Sequence, residues 1–222
     1  MANIHPLATV HPNAKLGENV EVGPYAYIEE HVEIGDNVNI RECATINRGT
    51  KASGRSVTKI GNNCLIMSYA HVAHDCTVGN NCILVSYVGI AGETDVDDWA
   101  TIGGSTVAHQ FSRIGKHAFV GGGCKINKDV PPYVLCGRDP LTYAGVNIVG
   151  LRRRGFSSDQ IRSIKDMYDI IYNSGTNVSD ALTKIELGFP QSEERDTILD
   201  FIRASKRGII RGADSTVKGN ID

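Results

Sequence analysis

The stretch "YAHVAHDCTVGN", residues 69–80, sets His71 and His74 three apart and follows the second with Asp75. An imidazole beside a carboxylate is the pairing of a general base with the acid that orients it, and histidines in a cluster equally suit a zinc ion. Residues three apart on one strand point to opposite faces, so a period of two cannot bring both rings to one place. A longer repeat has to position them.

That repeat has a period of six. Aliphatics recur at Ile4, Val10, Leu16, Val22, Ile28, Ile34, Ile40 and Ile46, then from Ile60 through Ile66, Val72, Val78, Leu84, Ile90, Val96, Ile102, Ala108, Ile114, Val120 and Ile126. The fourth residue after most of them is also small or apolar, and alternation turns it to the same inward side. Cys64, Cys76, Cys82 and Cys124 fall in that slot, where free cysteine acts as a small hydrophobe. Hexads in fixed phase predict a parallel β-helix. The pattern resembles the left-handed parallel β-helix of the hexapeptide acyltransferases, in which three hexads make one triangular coil.

With 18 residues to a coil, positions differing by 18 stack in columns. His74, Gly92 and Gln110 then share a column, Asp75 stacks with Glu93 and Phe111, and Ala73 leads through Ala91 to His109. Polar groups gather on one edge, beside a glycine whose N–H is unobstructed. That set suits acyl transfer, in which histidine takes a proton from an attacking hydroxyl and a backbone N–H holds the developing oxyanion. A zinc site on His71, His74 and His109, of the kind found in γ-class carbonic anhydrases, is the second reading; the opposite parity of His71 and His74 weighs against it. His31 and His117 have no partner that the pattern can place.

The hexads predict an all-β solenoid over residues 1–130, broken by a Gly, Ser, Lys and Arg-rich loop at 47–59. Prolines and glycines suggest a linker over 131–156. Residues 157–222 read as an α-helical domain: Ile161, Ile164, Tyr168 and Ile171 follow a Ser-Ser-Asp start at helical spacing. Two more helices are expected in "VSDALTKIEL" and "SEERDTILDFIRASKRGII", with the last ten or so residues frayed.

Composition narrows the function. A formal charge of −2 with 22% charged residues gives no general attraction to nucleic acid or to an anionic membrane. No apolar run approaches the ~20 residues of a membrane span. The N-terminus does not read as an export signal and the six cysteines include no CxxC pair, so reduced thiols and a cytoplasmic location are expected.

"ECATINRGT", "AHVAHDCTVGNNC", "AHQF", "KDVPPYV" and "GVNIVGLRRRGF" together resemble the UDP-N-acetylglucosamine O-acyltransferases, which open lipid A synthesis. The resemblance extends over nearly the whole chain. It implies transfer of a (3R)-3-hydroxyacyl group from acyl carrier protein to the 3-hydroxyl of the sugar by a homotrimer with sites between subunits, without metal or cofactor. It implies His74 as general base, Asp75 as its orienting carboxylate and Gly92 as oxyanion donor. It further implies His71, His109 and Gln110 around the sugar and acyl groups, Asn147, Arg153 and Arg154 near the nucleotide, and Gly122 as a ruler of acyl length. Gly122 falls in a small-residue column with Ser68, Ser86 and Gly104.

The chain departs from the family where Glu93 stands for a histidine and Val149 for a glutamate. It also lacks extra coils and a "QDLK"-like loop ahead of "EIGDNVNIREC", which leaves open a scaffold with weakened sugar binding, or an acetyl-CoA-dependent acyltransferase of the same fold.

Overall fold

A computed structural model describes residues 1–212; the frayed end expected from the sequence lies outside the described residues. Residues 3–126 wind into a parallel β-helix of three sheets, here called sheets 1, 2 and 3, which begin at Asn3–Ile4, Thr9–Val10 and Lys15–Leu16. Sheet 2 counts seven coils. Each strand contributes one inward aliphatic, and these stack in register: Val22 on Ile40, Ile28 on Ile46, Leu84 on Ile102 and Ile90 on Ala108. Side chains from three sides meet on one axis, and Ile28, Ile46, Ile66, Leu84, Ile90 and Ile102 are fully buried. The inward cysteines Cys64, Cys76, Cys82 and Cys124 are buried free thiols, and burial pushes the Cys76 thiol up to about 12. That inertness fits core filler.

Within residues 3–126 the coil repeat is 18 residues except at one place. Across the loop, Thr45 pairs with His71 and Ile46 with Val72, an advance of 26. The insertion therefore leaves the cylinder unchanged and hangs outside it. Its limbs pass so closely at Gly49 that a β-carbon there would overlap the backbone of Ser56 and Val57. The register through Ile28, Ile34 and Ile40 is unbroken, because coils interact only with their neighbours.

From Leu16 to Val120, corners are turned by a residue with positive φ three places after each aliphatic except Ile46. Asn19, Asn37, Asn63, Asn81 and Asp75 suit that conformation, whereas Glu93, Trp99 and Phe111 adopt it against their own preference. The repeated ladder over-determines the backbone, so the residue at each corner is chosen for what its side chain does.

Beyond the hexads, where the sequence suggests a linker, strand Val134–Gly137 extends sheet 1 and Thr142–Val146 returns antiparallel beside it. Helix α1 (Ile148–Arg153) follows. Helices α2 (Ser158–Asn173), α3 (Val178–Gly188) and α4 (Glu193–Arg203) each begin at a side-chain cap, on Ser157, Asn177 and Ser192 respectively. The α2 cap is a full capping box with Gln160. Buried Ile161, Ile164, Tyr168 and Ile171 form its inner face, and the Tyr168 hydroxyl donates to the Pro132 carbonyl at 2.6 Å. Helix α4 stops at Arg203, short of the stretch to Ile210 suggested by the sequence.

Candidate active site

The expected catalytic residues lie on the edge between sheets 2 and 3. His71 lies on the outer face of sheet 2, between Thr45 and Gly89, and its Nδ1 lies 2.7 Å from the Thr45 hydroxyl. Burial lowers its pKa, which favours a neutral ring. His74 comes two residues after the strand, at the corner itself, so the parity that separates the two on a straight strand no longer applies.

His74 donates from Nδ1 to the Asp75 carboxylate at 2.9 Å. The Asp75 side chain is fully buried while that of His74 is 39% exposed. Burial alone would raise the Asp75 pKa. Hydrogen bonds from the Thr50 hydroxyl, from His74 and from the Thr50 N–H outweigh it and hold the carboxyl down at about 2. A permanent carboxylate on Nδ1 fixes the tautomer and leaves Nε2 as the basic nitrogen.

Gly92 lies directly on the imidazole: a β-carbon there would overlap Nε2, Cε1 and Cδ2 of His74. Its N–H is also free. On the edge between sheets 3 and 1, the equivalent N–H groups of Glu18, Asp36, Asn62 and Asn80 donate to a carboxylate or carboxamide of the next coil at 2.7–2.9 Å. Gly92 has Gln110 in that position, and among the described residues its N–H has no acceptor. A basic nitrogen and an unsatisfied amide donor therefore share one small region.

His109 and Gln110 are on the next coil of the same edge. His109 turns Nδ1 onto the Gln110 carbonyl at 3.0 Å, and that carbonyl also accepts from Arg207 at 3.3 Å. Among the described residues no three His, Cys, Asp or Glu side chains converge as a metal-holding group.

The remaining expected residues are elsewhere on this chain. Gly122 stands on the edge between sheets 1 and 2, its would-be β-carbon 3.0 Å from the Gly104 carbonyl oxygen. Arg153 and Arg154 line a cavity of about 630 Å3 over sheet 1, with Phe119, Leu135 and Ile148. Sheet 1 is the face opposite the His74 edge. Asn147 borders the same cavity but is buried, capping α1 through Gly150 N–H and donating to the His117 carbonyl at 3.0 Å.

Sequence reasoning missed two groups. His117 is buried between the rings of Trp99 and Tyr133, with Phe156 edge-on, and Arg154 donates to its Nδ1 at 3.2 Å. Burial first, then Arg154 and Lys116, push His117 down to about 4. The column Asn63, Asn81, Trp99, His117 and Tyr133 was available as a signal, with aromatics replacing amides where the helices dock. Thr50, inside the loop, had no periodic signal at all.

Comparison with known proteins gives a consistent set of relatives. A family profile described as "Udp N-acetylglucosamine O-acyltransferase; Domain 2" matches residues 129–210, and bacterial transferase hexapeptide repeats match 13–48 and 58–92. An acyl-[acyl-carrier-protein]–UDP-N-acetylglucosamine O-acyltransferase of Ectopseudomonas mendocina is 42% identical over 172 residues, 78% of this chain and 66% of that protein. The Thiobacillus denitrificans protein of the same name is 35% identical over 259 residues, 95% of this chain and 100% of the relative. An alignment of 259 positions to a chain of 222 requires stretches present only in the relative. The structure of a UDP-N-acetylglucosamine acyltransferase from Bacteroides fragilis superposes with a TM-score of 0.83 at 43% identity, over 94% of this chain and 100% of that one. The Francisella novicida enzyme gives 0.80 at 34% identity, over 96% and 95%.

Proposed function

The chain belongs to the UDP-N-acetylglucosamine O-acyltransferase family, and from that premise we propose that it transfers a (3R)-3-hydroxyacyl group from acyl carrier protein to the 3-hydroxyl of UDP-N-acetylglucosamine. The observation that carries the mechanism is the contact of His74 with Gly92, the imidazole oriented by Asp75 and the amide unsatisfied.

His74 Nε2 takes the proton of the sugar hydroxyl as its oxygen attacks the thioester carbonyl. Charge develops on the carbonyl oxygen and is met by the Gly92 N–H, already in place and needing no reorganisation. The tetrahedral intermediate collapses, the C–S bond breaks, and the proton on His74 passes to the departing thiol. Asp75 stays ionised throughout and stabilises the transient imidazolium.

His71, His109 and Gln110 border the reacting centre and bind the sugar and acyl portions. Asn147 supports α1, at whose C-terminal end Arg153 and the capping Arg154 offer planar guanidinium forks to phosphate oxygens. Because those arginines lie on the face opposite His74, the reading requires a second copy to bring them to the edge. A homotrimer with sites between subunits satisfies this. Gly122 leaves open the slot for the acyl chain. Six free thiols agree with a cytoplasmic location. Among the described residues no helix is long and apolar enough to cross a membrane.

The test is turnover of hydroxyacyl carrier protein and UDP-N-acetylglucosamine by the wild type and His74→Ala, with hydroxyacyl-CoA and acetyl-CoA as alternative donors. The variant should lose kcat by more than about 100-fold. Undiminished turnover by His74→Ala would remove the base assignment, and preference for acetyl-CoA would replace the donor.

A further inference from the structure

We propose that the loop at residues 47–59 is the device that positions the His74–Asp75 pair, with Thr50 as the residue on which the orientation of the Asp75 carboxylate depends. The inference rests on the reading of His74 as general base and extends it to a segment that touches none of the reacting atoms.

Every polar group of Asp75 apart from its bond to His74 is held from this segment or the strand it feeds. Thr50 N–H donates to Oδ1 at 2.8 Å and the Thr50 hydroxyl to Oδ2 at 2.7 Å. The backbone N–H of Asp75 donates to the hydroxyl of Thr58, itself fully buried, at 2.8 Å. The backbone carbonyl of Asp75 accepts from Arg55 at 3.2 Å. Oδ2, the oxygen that receives His74, is thus fixed from a second side by Thr50.

The loop is in turn tied down so that it can hold. Arg55 forms a two-pronged ion pair with Asp95, one coil beyond Thr77, its second bond 3.0 Å long. The Ser53 hydroxyl donates to the Thr50 carbonyl and accepts from the Arg55 N–H, both at 3.0 Å. The close crossing at Gly49 fixes where Thr50 leaves the cylinder. The same segment also reaches the neighbouring Glu29–His31 corner, where the Arg48 N–H donates to Glu29 at 2.8 Å and its guanidinium to Glu30 at 2.9 Å. Glu93, one coil on in the same column, has no insertion over it.

The need follows from the corner conformation. Asp75 turns its corner at φ +59°, and a corner side chain with nothing docked on it splays outward, as Phe111 does at 51% exposure. Two donors from Thr50 turn the carboxylate inward beneath the loop and against Nδ1. A charged acceptor held on three sides keeps the imidazole plane, and hence Nε2, aimed past Gly92.

The test compares Thr50→Val, which removes the hydroxyl and keeps the N–H, with Thr50→Ser, which restores a hydroxyl. Thr50→Val should lower kcat by roughly 10- to 100-fold with KM unchanged, the scale of a misaligned catalytic group. Thr50→Ser should recover to within a few-fold of wild type. The downfield Nδ1–H proton resonance of His74 in NMR should vanish in Thr50→Val and return in Thr50→Ser. Arg55→Gln, which leaves both Thr50 contacts in sequence but frees the loop, should also lower kcat at constant KM and serves if Thr50→Val does not fold. Wild-type kcat and an intact resonance in Thr50→Val, or equal losses in the Val and Ser variants, would overturn the inference. His74→Ala run alongside separates the two readings: if it is active, the base assignment fails; if it is inactive while Thr50→Val is normal, only the positioning role fails.

Discussion

The imidazole of His74 occupies the space that any side chain at Gly92 would fill. The Gly92 backbone lies outside the left-handed region, so conformational freedom is not the reason for glycine there. Gly92→Ala should accordingly fold and melt close to wild type while kcat falls by about 100-fold or more, because the ring must swing off the donor. Circular dichroism and steady-state turnover check both halves, and an active Gly92→Ala variant would remove the close contact from the mechanism.

Asp75 makes the native state sensitive to acid. Burial raises its pKa, the hydrogen bonds from Thr50 and His74 lower it further than that, and the net value is about 2 against 3.8 in an unfolded chain. A depressed carboxyl contributes stability above the unfolded pKa and loses it as pH falls through the folded value. Urea unfolding should therefore show Asp75→Asn less stable than wild type by roughly 2 kcal/mol at pH 7. The gap should narrow between about pH 4 and pH 2. A gap independent of pH would mean that the charge is not what the loop grips.

His117 acts at higher pH. Its folded pKa is lowered to about 4 from 6.5, chiefly by burial, so the unfolded chain takes up a proton before the native state does. Stability is intact above 6.5 and is lost as pH falls through about 4, by up to roughly 3 kcal/mol. His117→Phe keeps a ring between Trp99 and Tyr133 and should flatten this part of the stability curve. Parallel wild-type and variant curves would exclude His117 as its source.

The Gly122 position should control donor length without disturbing the coil. A β-carbon there comes to 3.0 Å from the Gly104 oxygen, which a shift of a few tenths of an ångström relieves. Gly122→Val is expected to fold and to reduce the kcat/KM ratio of long to short hydroxyacyl donors by about 10-fold or more. An unchanged ratio in competition assays would place the acyl chain elsewhere.

Subunit mixing tests the division of the site between two faces. His74→Ala and Arg153→Ala proteins should each be inactive or nearly so. If the proposed trimer forms, random trimers made by refolding them together should regain about a quarter of wild-type sites, those pairing an intact edge with an intact arginine face. No recovery in assembled mixed trimers would mean that one chain supplies both.

Much of this was legible in the hexads. A strict period of six fixes which atoms face inward and, by threes, which residues stack, so the His74–Gly92 column could be placed by counting. The corner conformation was not legible, because positive φ at Glu93 or Trp99 is imposed by neighbouring coils and contradicts local preference. Nor could counting find Thr50, whose position depends on how a non-repeating loop folds back. The stretch 131–156 looked like a linker from its prolines and glycines, yet Leu135 and Cys136 still pair with Phe119 and Val120. Its spacing is 16 rather than 18, so the continuation was hidden by two missing residues.

A cylinder of equal storeys has no intrinsic way of telling one level from the next. The eight-residue surplus between Thr45 and His71 breaks that translational symmetry once, and so gives a single storey an address. On the mechanism proposed above, the reaction is located by an ornament on the outside wall rather than by any change in the wall itself. Moved one storey along, the same ornament would sit over Glu93, and the chemistry would have to find its base in a glycine.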